Sequence, residues 1–152
     1  MKKRTITKQI ILHCSATPEG RDIRAKDIRK WHKQNGWEDI GYHYIIDLDG
    51  TIEKGRDIKL NGAHTKGHNS NSIGICYIGG CDKKMYAKDT RTPQQRESLI
   101  KLVHQLLDEY GLTLDAVYAH YQFASYKACP SFKIEDFKTE YKQYYDNKEK
   151  DV

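Results

Sequence analysis

Three side chains able to bind a metal or act as nucleophiles occur where the chain leaves apolar runs. His13 ends "TKQIILH" and precedes the turn-like "CSATPEGRD", His120 ends "AVYAH", and Cys129 follows inside "YKACPSF". Pro130 restricts Cys129 to extended or polyproline geometry, so the direction of its thiol is largely set. Taken singly, each residue has a simpler account. A strand-end histidine is ordinarily solvated or hydrogen-bonded, and a lone cysteine behaves as a small buried hydrophobe. The thiol could be a ligand, a nucleophile or packing. Ligand crevices in open α/β sheets form at strand ends. If the three groups converge there, two imidazoles and one thiolate give zinc three protein ligands and an open fourth position, the catalytic pattern.

The elements that must position these groups are legible in the hydrophobic spacing. "TKQIILH" reads as a strand ending at His13. A helix follows, with Asp22 as its N-cap, Ile23, Ile28 and Trp31 at helical spacing, and Gly36 as its stop. "YHYIIDLDGTIEKGR" reads as a hairpin turning at Asp49-Gly50, with Tyr42, His43 and Tyr44 on its first strand. The polar loop "LNGAHTKGHNSNS" leads into the strand "IGICYIGG". Thr92 and Pro93 open a second helix whose apolar stripe is Leu99, Leu102, Val103, Leu106 and Leu107. "AVYAH" is a short strand, and "IEDFKTEYKQYY" is a terminal helix before a charged tail from Asp146 to Val152. Intermixed strands and helices without repeats predict a single α/β domain over residues 1–145, core about 7–140, with a central mixed β-sheet flanked by about three main helices.

A chain of 152 residues is long enough to bury one substantial core. Its formal charge of +5 favours anionic partners, yet the basic residues are scattered, so no nucleic-acid footprint is expected. Four cysteines without paired CxxC spacing predict free thiols rather than a disulfide scaffold: Cys76 as a buried strand thiol and Cys81 as a loop thiol. Trp31 and Trp37 read as packing residues. His64, His68 and Asn69 in "HTKGHN" read as cleft-lining or substrate-contacting groups, because Gly67 and Asn69 argue against a helix that would align the histidines as ligands.

Seven segments in order, "ILHCSAT", "IRKWHKQNGW", "GYHYII", "DGTIEKGRD", "HNSNSIGICYIGG", "AHY" and "KACPSF", resemble the type 2 N-acetylmuramoyl-L-alanine amidases, specifically the bacteriophage T7 lysozyme group, relatives of the peptidoglycan recognition proteins. The similarity runs from Ile10 to Phe132. It implies the fold of that family and one catalytic Zn2+ held by His13, His120 and Cys129, with Tyr42 and Lys127 as catalytic residues. One departure is Tyr121, where the family pattern reads "AHH"; the ligand position itself is kept. The implied reaction is hydrolysis of the amide joining N-acetylmuramic acid to L-alanine in peptidoglycan. Zinc would acidify its water toward about pH 7 and polarise the carbonyl. Lys127, read as two residues from Cys129 on one face of an extended segment, would stabilise the oxyanion. Tyr42 would orient the water or carbonyl and assist proton transfer.

The resemblance therefore implies a peptidoglycan-degrading, endolysin-like enzyme of phage or prophage type. Two other readings follow from the same likeness. Some relatives bind muropeptide without catalysis after losing the zinc cysteine, but Cys129 is present here. A T7-type lysozyme also regulates its phage RNA polymerase, but no residue identifies such a surface. The apolar run Ile10–Leu12 is too short for a signal-peptide core, and nothing predicts membrane insertion. The expected protein is a monomer made in the cytoplasm, reaching the wall after holin-type release, secretion or lysis.

Overall fold

β1 (Gln9–Cys14) is the axis of the structure, pairing in parallel with β5 (Ser72–Tyr77) on one side and β7 (Val117–Ala119) on the other. β3 (Tyr44–Ile46) adds in parallel to β5, and β4 (Ile52–Lys54) adds antiparallel at the edge, giving the order β4-β3-β5-β1-β7. A separate short parallel pair joins β2 (Thr17–Pro18) to β6 (Gly80–Cys81). This computed structural model describes residues 1–150. The mixed sheet with three helices expected from the sequence is the architecture observed.

Side chains alternate across the sheet, so each strand feeds two faces. Ile10 and Leu12 of β1, Ile73, Ile75 and Tyr77 of β5, and Val117 and Ala119 of β7 pack against α2 (Pro93–Tyr110) and α3 (Ile134–Lys150). Ile45 and Cys76 pack on the opposite face with Ile28 of α1 (Ala25–Gln34). Parallel strands covered on both faces require nearly continuous apolar sequence. His13, only 1% exposed inside β1, is a polar exception, as is buried Ser72 in β5, and His13 follows Leu12 onto the α1 face.

Local chemistry explains the helix boundaries. Thr92 Oγ1 accepts the Gln95 N–H at 3.0 Å, and Gln95 Oε1 accepts the Thr92 N–H at 2.9 Å, a reciprocal cap completed by Pro93. Buried Gln95 also donates to the carbonyls of Ile46 and Ile78, tying the helix to the ends of β3 and β5. α2 stops at Gly111 (φ +64°), after which the Leu112 N–H bonds to the Leu107 carbonyl. α1 starts at Ala25 rather than after Asp22. Its first N–H groups are served from elsewhere: Glu53 of β4 accepts the Ala25 N–H at 2.8 Å, and Asp27 accepts that of Arg24 at 2.9 Å. Asp22 instead pairs with the Arg24 side chain.

The hairpin turns at Asp49-Gly50 as read, with Gly50 at φ +88°. Tyr42 and His43 precede β3 instead of lying on it, although the His43 N–H still bonds to the Gly74 carbonyl at 2.9 Å. Cys81 is buried in β6, not placed on a loop. α3 continues through Lys150, replacing most of the loose tail expected from Asp146; Asp151 and Val152 lie outside the described residues. The four cysteines are free.

Asp47, just past β3, is a carboxyl only 1% exposed. Burial, and then the neighbouring Glu53 carboxylate, push it up to about 7 despite Arg24 Nη1 at 3.5 Å. The folded chain thus keeps a proton that the unfolded chain releases near pH ~4, so stability is lost as pH rises through that interval. Asp47→Asn should flatten the slope, shifting relative stability in its favour by on the order of 4 kcal/mol between about pH 4 and pH 8. Urea melts of both proteins across that range check this; parallel profiles would show that Asp47 does not carry the dependence.

Candidate functional site

The pairing Leu12↔Ala119 makes the next residue of each strand a neighbour of the other. The rings of His13 and His120 consequently stand 4.5 Å apart between centroids. Cys129 arrives from a loop, its Sγ 3.8 Å from His13 Nδ1. The donor atoms of His13, His120 and Cys129 all lie within 4.8 Å of one another, the one such group among the described residues able to hold a metal ion. The convergence that the sequence left conditional is therefore present.

The Cys129 loop is anchored by several groups. Tyr77 Oη donates to the Pro130 carbonyl at 2.7 Å, and the Tyr121 N–H donates to the Cys129 carbonyl at 3.0 Å. Tyr121 Oη in turn accepts the first N–H of α3, from Ile134, at 2.9 Å, so the residue that departs from the family pattern links the Cys129 loop to a helix start. Phe132 is buried beneath the Arg91 guanidinium, 3.8 Å from its ring centroid, and Arg91 is held by Asp89 and Glu140. Lys127 to Cys129 is not an extended strand: the Lys127 N–H closes a turn onto the Ala124 carbonyl at 2.9 Å. Lys127 nonetheless reaches the same site by way of that turn.

Above the cluster lies a cleft of about 490 Å³, lined by Tyr42, His120 and Lys127 together with Trp37, Lys66 and Tyr126. Tyr42 packs on His13, with ring centroids 5.0 Å apart. Its backbone is held because Gly41 donates to His32 Nδ1 at 2.9 Å and because a Cβ at Gly41 would collide with the Ala63 carbonyl oxygen. Trp37 is 40% exposed and Tyr126 86% exposed, so Trp37 belongs to the cleft wall as well as to its stacking partner His32. Trp31 is likewise partly exposed rather than a core residue.

Burial lowers His13 and, next to it, the charges of His64, His120 and Lys127 act in the same direction. His120 comes down to about 4 through burial and then Lys127. Both imidazoles are thus neutral near pH 7, the form that binds metals. Burial raises Tyr42 well above the usual phenol range, so its hydroxyl keeps its proton as a donor. Cys14 lies against Cys129: its N–H donates to Cys129 Sγ at 3.3 Å. The contact between the two thiols lowers Cys14 and raises Cys129.

The three residues read as cleft-lining or substrate-contacting groups, His64, His68 and Asn69, occupy different places. His64 is 9% exposed at the cleft floor, with Nδ1 2.9 Å from His13 Nε2. Asn69 borders the cleft, but its Oδ1 is taken by the N–H groups of His64 and Thr65, both at 2.9 Å. His68 does not line the cleft; it stacks on Phe123 at 4.0 Å and bonds to Gln9. Thr65 and Cys14 touch His13 and Cys129 and gave no signal in the sequence because those partners lie far along the chain, while Ser72 contacts the nearer His64 and His68.

A mixed sheet whose strand ends carry two histidines and a cysteine under an open cleft defines a hydrolase scaffold of the amidase and peptidoglycan-recognition class. A family model described as N-acetylmuramoyl-L-alanine amidase matches residues 2–132, and the chain belongs to that family. The endolysin of Escherichia phage T7 is 47% identical over 134 residues, 88% of this chain and 86% of that protein. Among solved structures, the endolysin amidase LysCS from Clostridium intestinale URNW aligns with a TM-score of 0.77 at 31% identity, covering 91% of this chain and 85% of that one. A peptidoglycan recognition protein in the LCa–LCx ectodomain complex with tracheal cytotoxin aligns at 0.70 and 27% identity, over 86% and 80% of the two chains.

Because the Tyr77 hydroxyl is buried against the Pro130 carbonyl, Tyr77→Phe leaves that carbonyl without its partner beside the Cys129 loop. A loss of about 1–2 kcal/mol is expected in denaturant unfolding. An unchanged midpoint would mean that the loop is held without this bond.

Proposed function

We propose that this amidase is zinc-dependent and cuts the bond between N-acetylmuramic acid and the L-alanine that begins the peptide stem of peptidoglycan. The observation that carries the reading is the meeting of His13, His120 and Cys129 beneath a cleft that also presents Tyr42 and Lys127. Two neutral imidazoles and a sulfur suit zinc, and three protein donors leave a position for water, as catalytic zinc sites do. When bound there, zinc supplies a Lewis acid for the carbonyl and a water acidified toward about pH 7.

The chain's own groups do the rest. Lys127, exposed at the cleft, brings a positive charge to the carbonyl oxygen as it becomes an oxyanion. Tyr42, kept protonated by burial and packed on His13, donates a hydrogen bond to the carbonyl or a proton toward the departing alanine nitrogen. Exposed Trp37 and Tyr126 offer apolar faces for the sugar and stem. No helix among the described residues is long and apolar enough to cross a membrane. The enzyme works on the cell wall as an endolysin, reaching it through a holin-type lesion, secretion or lysis.

Mass spectrometry of peptidoglycan digests tests this directly, with zinc-loaded, EDTA-treated and Cys129→Ala proteins run in parallel. Free stems beginning with L-alanine are expected from the loaded protein, lost in both controls, and restored by zinc only to the chelated one. Binding without release by the loaded protein would reduce it to a recognition module. Lys127→Ala and Tyr42→Phe should each keep their zinc, by metal analysis, and lose roughly 100- to 1,000-fold in turnover. Full turnover in either variant would remove the role given to that residue.

A further inference from the structure

We infer that His64 and Ser72 form a directed hydrogen-bond chain that fixes the tautomer of His13, making His64 a positioning residue for the donor cluster. This rests on the zinc reading for its consequence, though not for its geometry. The direction follows from the far end. Ser72 Oγ lies 2.6 Å from the His68 carbonyl oxygen, which can only accept, so the single hydroxyl proton is committed there. Ser72 Oγ must then accept from its other partner, His64 Nε2, at 3.3 Å. The His64 ring is buried, and its side-chain partners are His13, Thr65 and Ser72, with no carboxylate to offset a charge. A neutral ring with its proton on Nε2 has a bare Nδ1, which accepts from His13 Nε2 at 2.9 Å.

Thr65 does not change the outcome. Its Oγ1 is 3.0 Å from His64 Nδ1 and 3.3 Å from His13 Nε2, so it either shares the His13 proton or relays it; both leave that proton on Nε2. The lone pair of His13 is then on Nδ1, the nitrogen facing Cys129 Sγ. A metal-binding histidine usually donates its second N–H to such a partner, which fixes the ring and its tautomer. Here the partner is another imidazole.

The slot around His64 supports a positional role. A Cβ at Gly62 would fall 2.5 Å from His64 Cδ2, and one at Gly74 would fall 2.6 Å from it, so two glycines leave room for the ring and no more. The loop carrying it is pinned by Asn69 Oδ1, which accepts the N–H groups of both His64 and Thr65.

Long-range ¹H–¹⁵N NMR of the imidazoles in the unaltered protein is the first test, since it reads the tautomer with or without metal. His13 is expected to carry its proton on Nε2 in both states; a proton on Nδ1 in the metal-free protein overturns the inference. Zinc affinity by chelator competition is the second. His64→Phe fills the slot without an acceptor and should bind zinc about 10- to 100-fold more weakly at unchanged circular dichroism, whereas His64→Asn, with an amide oxygen near the place of Nδ1, should recover most of the loss. A folded His64→Phe protein that binds zinc like the parent also overturns it. Should His64→Phe not fold, Ser72→Ala serves: loss of the end acceptor should give a mixture of His13 tautomers, and an unchanged spectrum would refute a chain directed from Ser72. Failure of the parent itself to bind zinc would sink the zinc reading, while the tautomer measurement would still decide this one.

Discussion

The register of β1 between its two parallel neighbours is the constraint on which the cleft depends. Leu12 opposite Ala119 brings His13 beside His120, and His13 opposite Cys76 puts the imidazole over β5. A slip of one residue would turn His13 into the α2 core and expose Leu12 to the cleft. The buried apolar alternation of Ile10 and Leu12 against Ile73, Ile75 and Val117 resists that slip, so the same hydrophobic contacts that hold the sheet also aim the histidine. Burying a polar ring in this position then forces compensation nearby. His64, Thr65 and the glycines at 62 and 74 exist around that need.

Much of this frame was legible in the sequence. The strand ends at His13 and His120, the turn at Asp49-Gly50, and the Thr92–Pro93 start of α2 all rest on signals within a few residues. What the sequence did not disclose is contact between distant segments. Glu53 of β4 supplies the acceptor at the first turn of α1, so the cap that Asp22 appeared to offer locally was not needed there. The departure at Tyr121 looked like a neutral change, yet its backbone and hydroxyl bridge the Cys129 loop and α3. Lys127 was placed correctly beside the cluster for the wrong local reason, since a turn and not an extended segment delivers it. Likeness to a family singled out His13, Tyr42, His120, Lys127 and Cys129 where periodicity alone could not, and the structure gathers these five around one cleft.

The electrostatics of the cleft follow from unequal burial. His13 is enclosed in the sheet and His120 half enclosed above it, whereas Lys127 stays exposed. Desolvation disfavours the charged imidazoles. The positive lysine adds to the same effect on both histidines. One cation next to two imidazoles therefore costs little, because the imidazoles are already neutral. The scattered surface charges of the chain need not contribute to this arrangement.

The site is also divided mechanically. His13 lies in β1 and His120 directly follows β7, while Cys129 and Lys127 come from a loop whose inner side is tied to Tyr77 and Tyr121 and continues into buried Phe132. Its outer side carries the solvent-facing Tyr126. A loop tied on one side and open on the other holds Cys129 Sγ 3.8 Å from His13 Nδ1 while Tyr126, three positions away, faces solvent. Lys127, between them, has a backbone set by the Ala124 turn and an exposed side chain at the cleft.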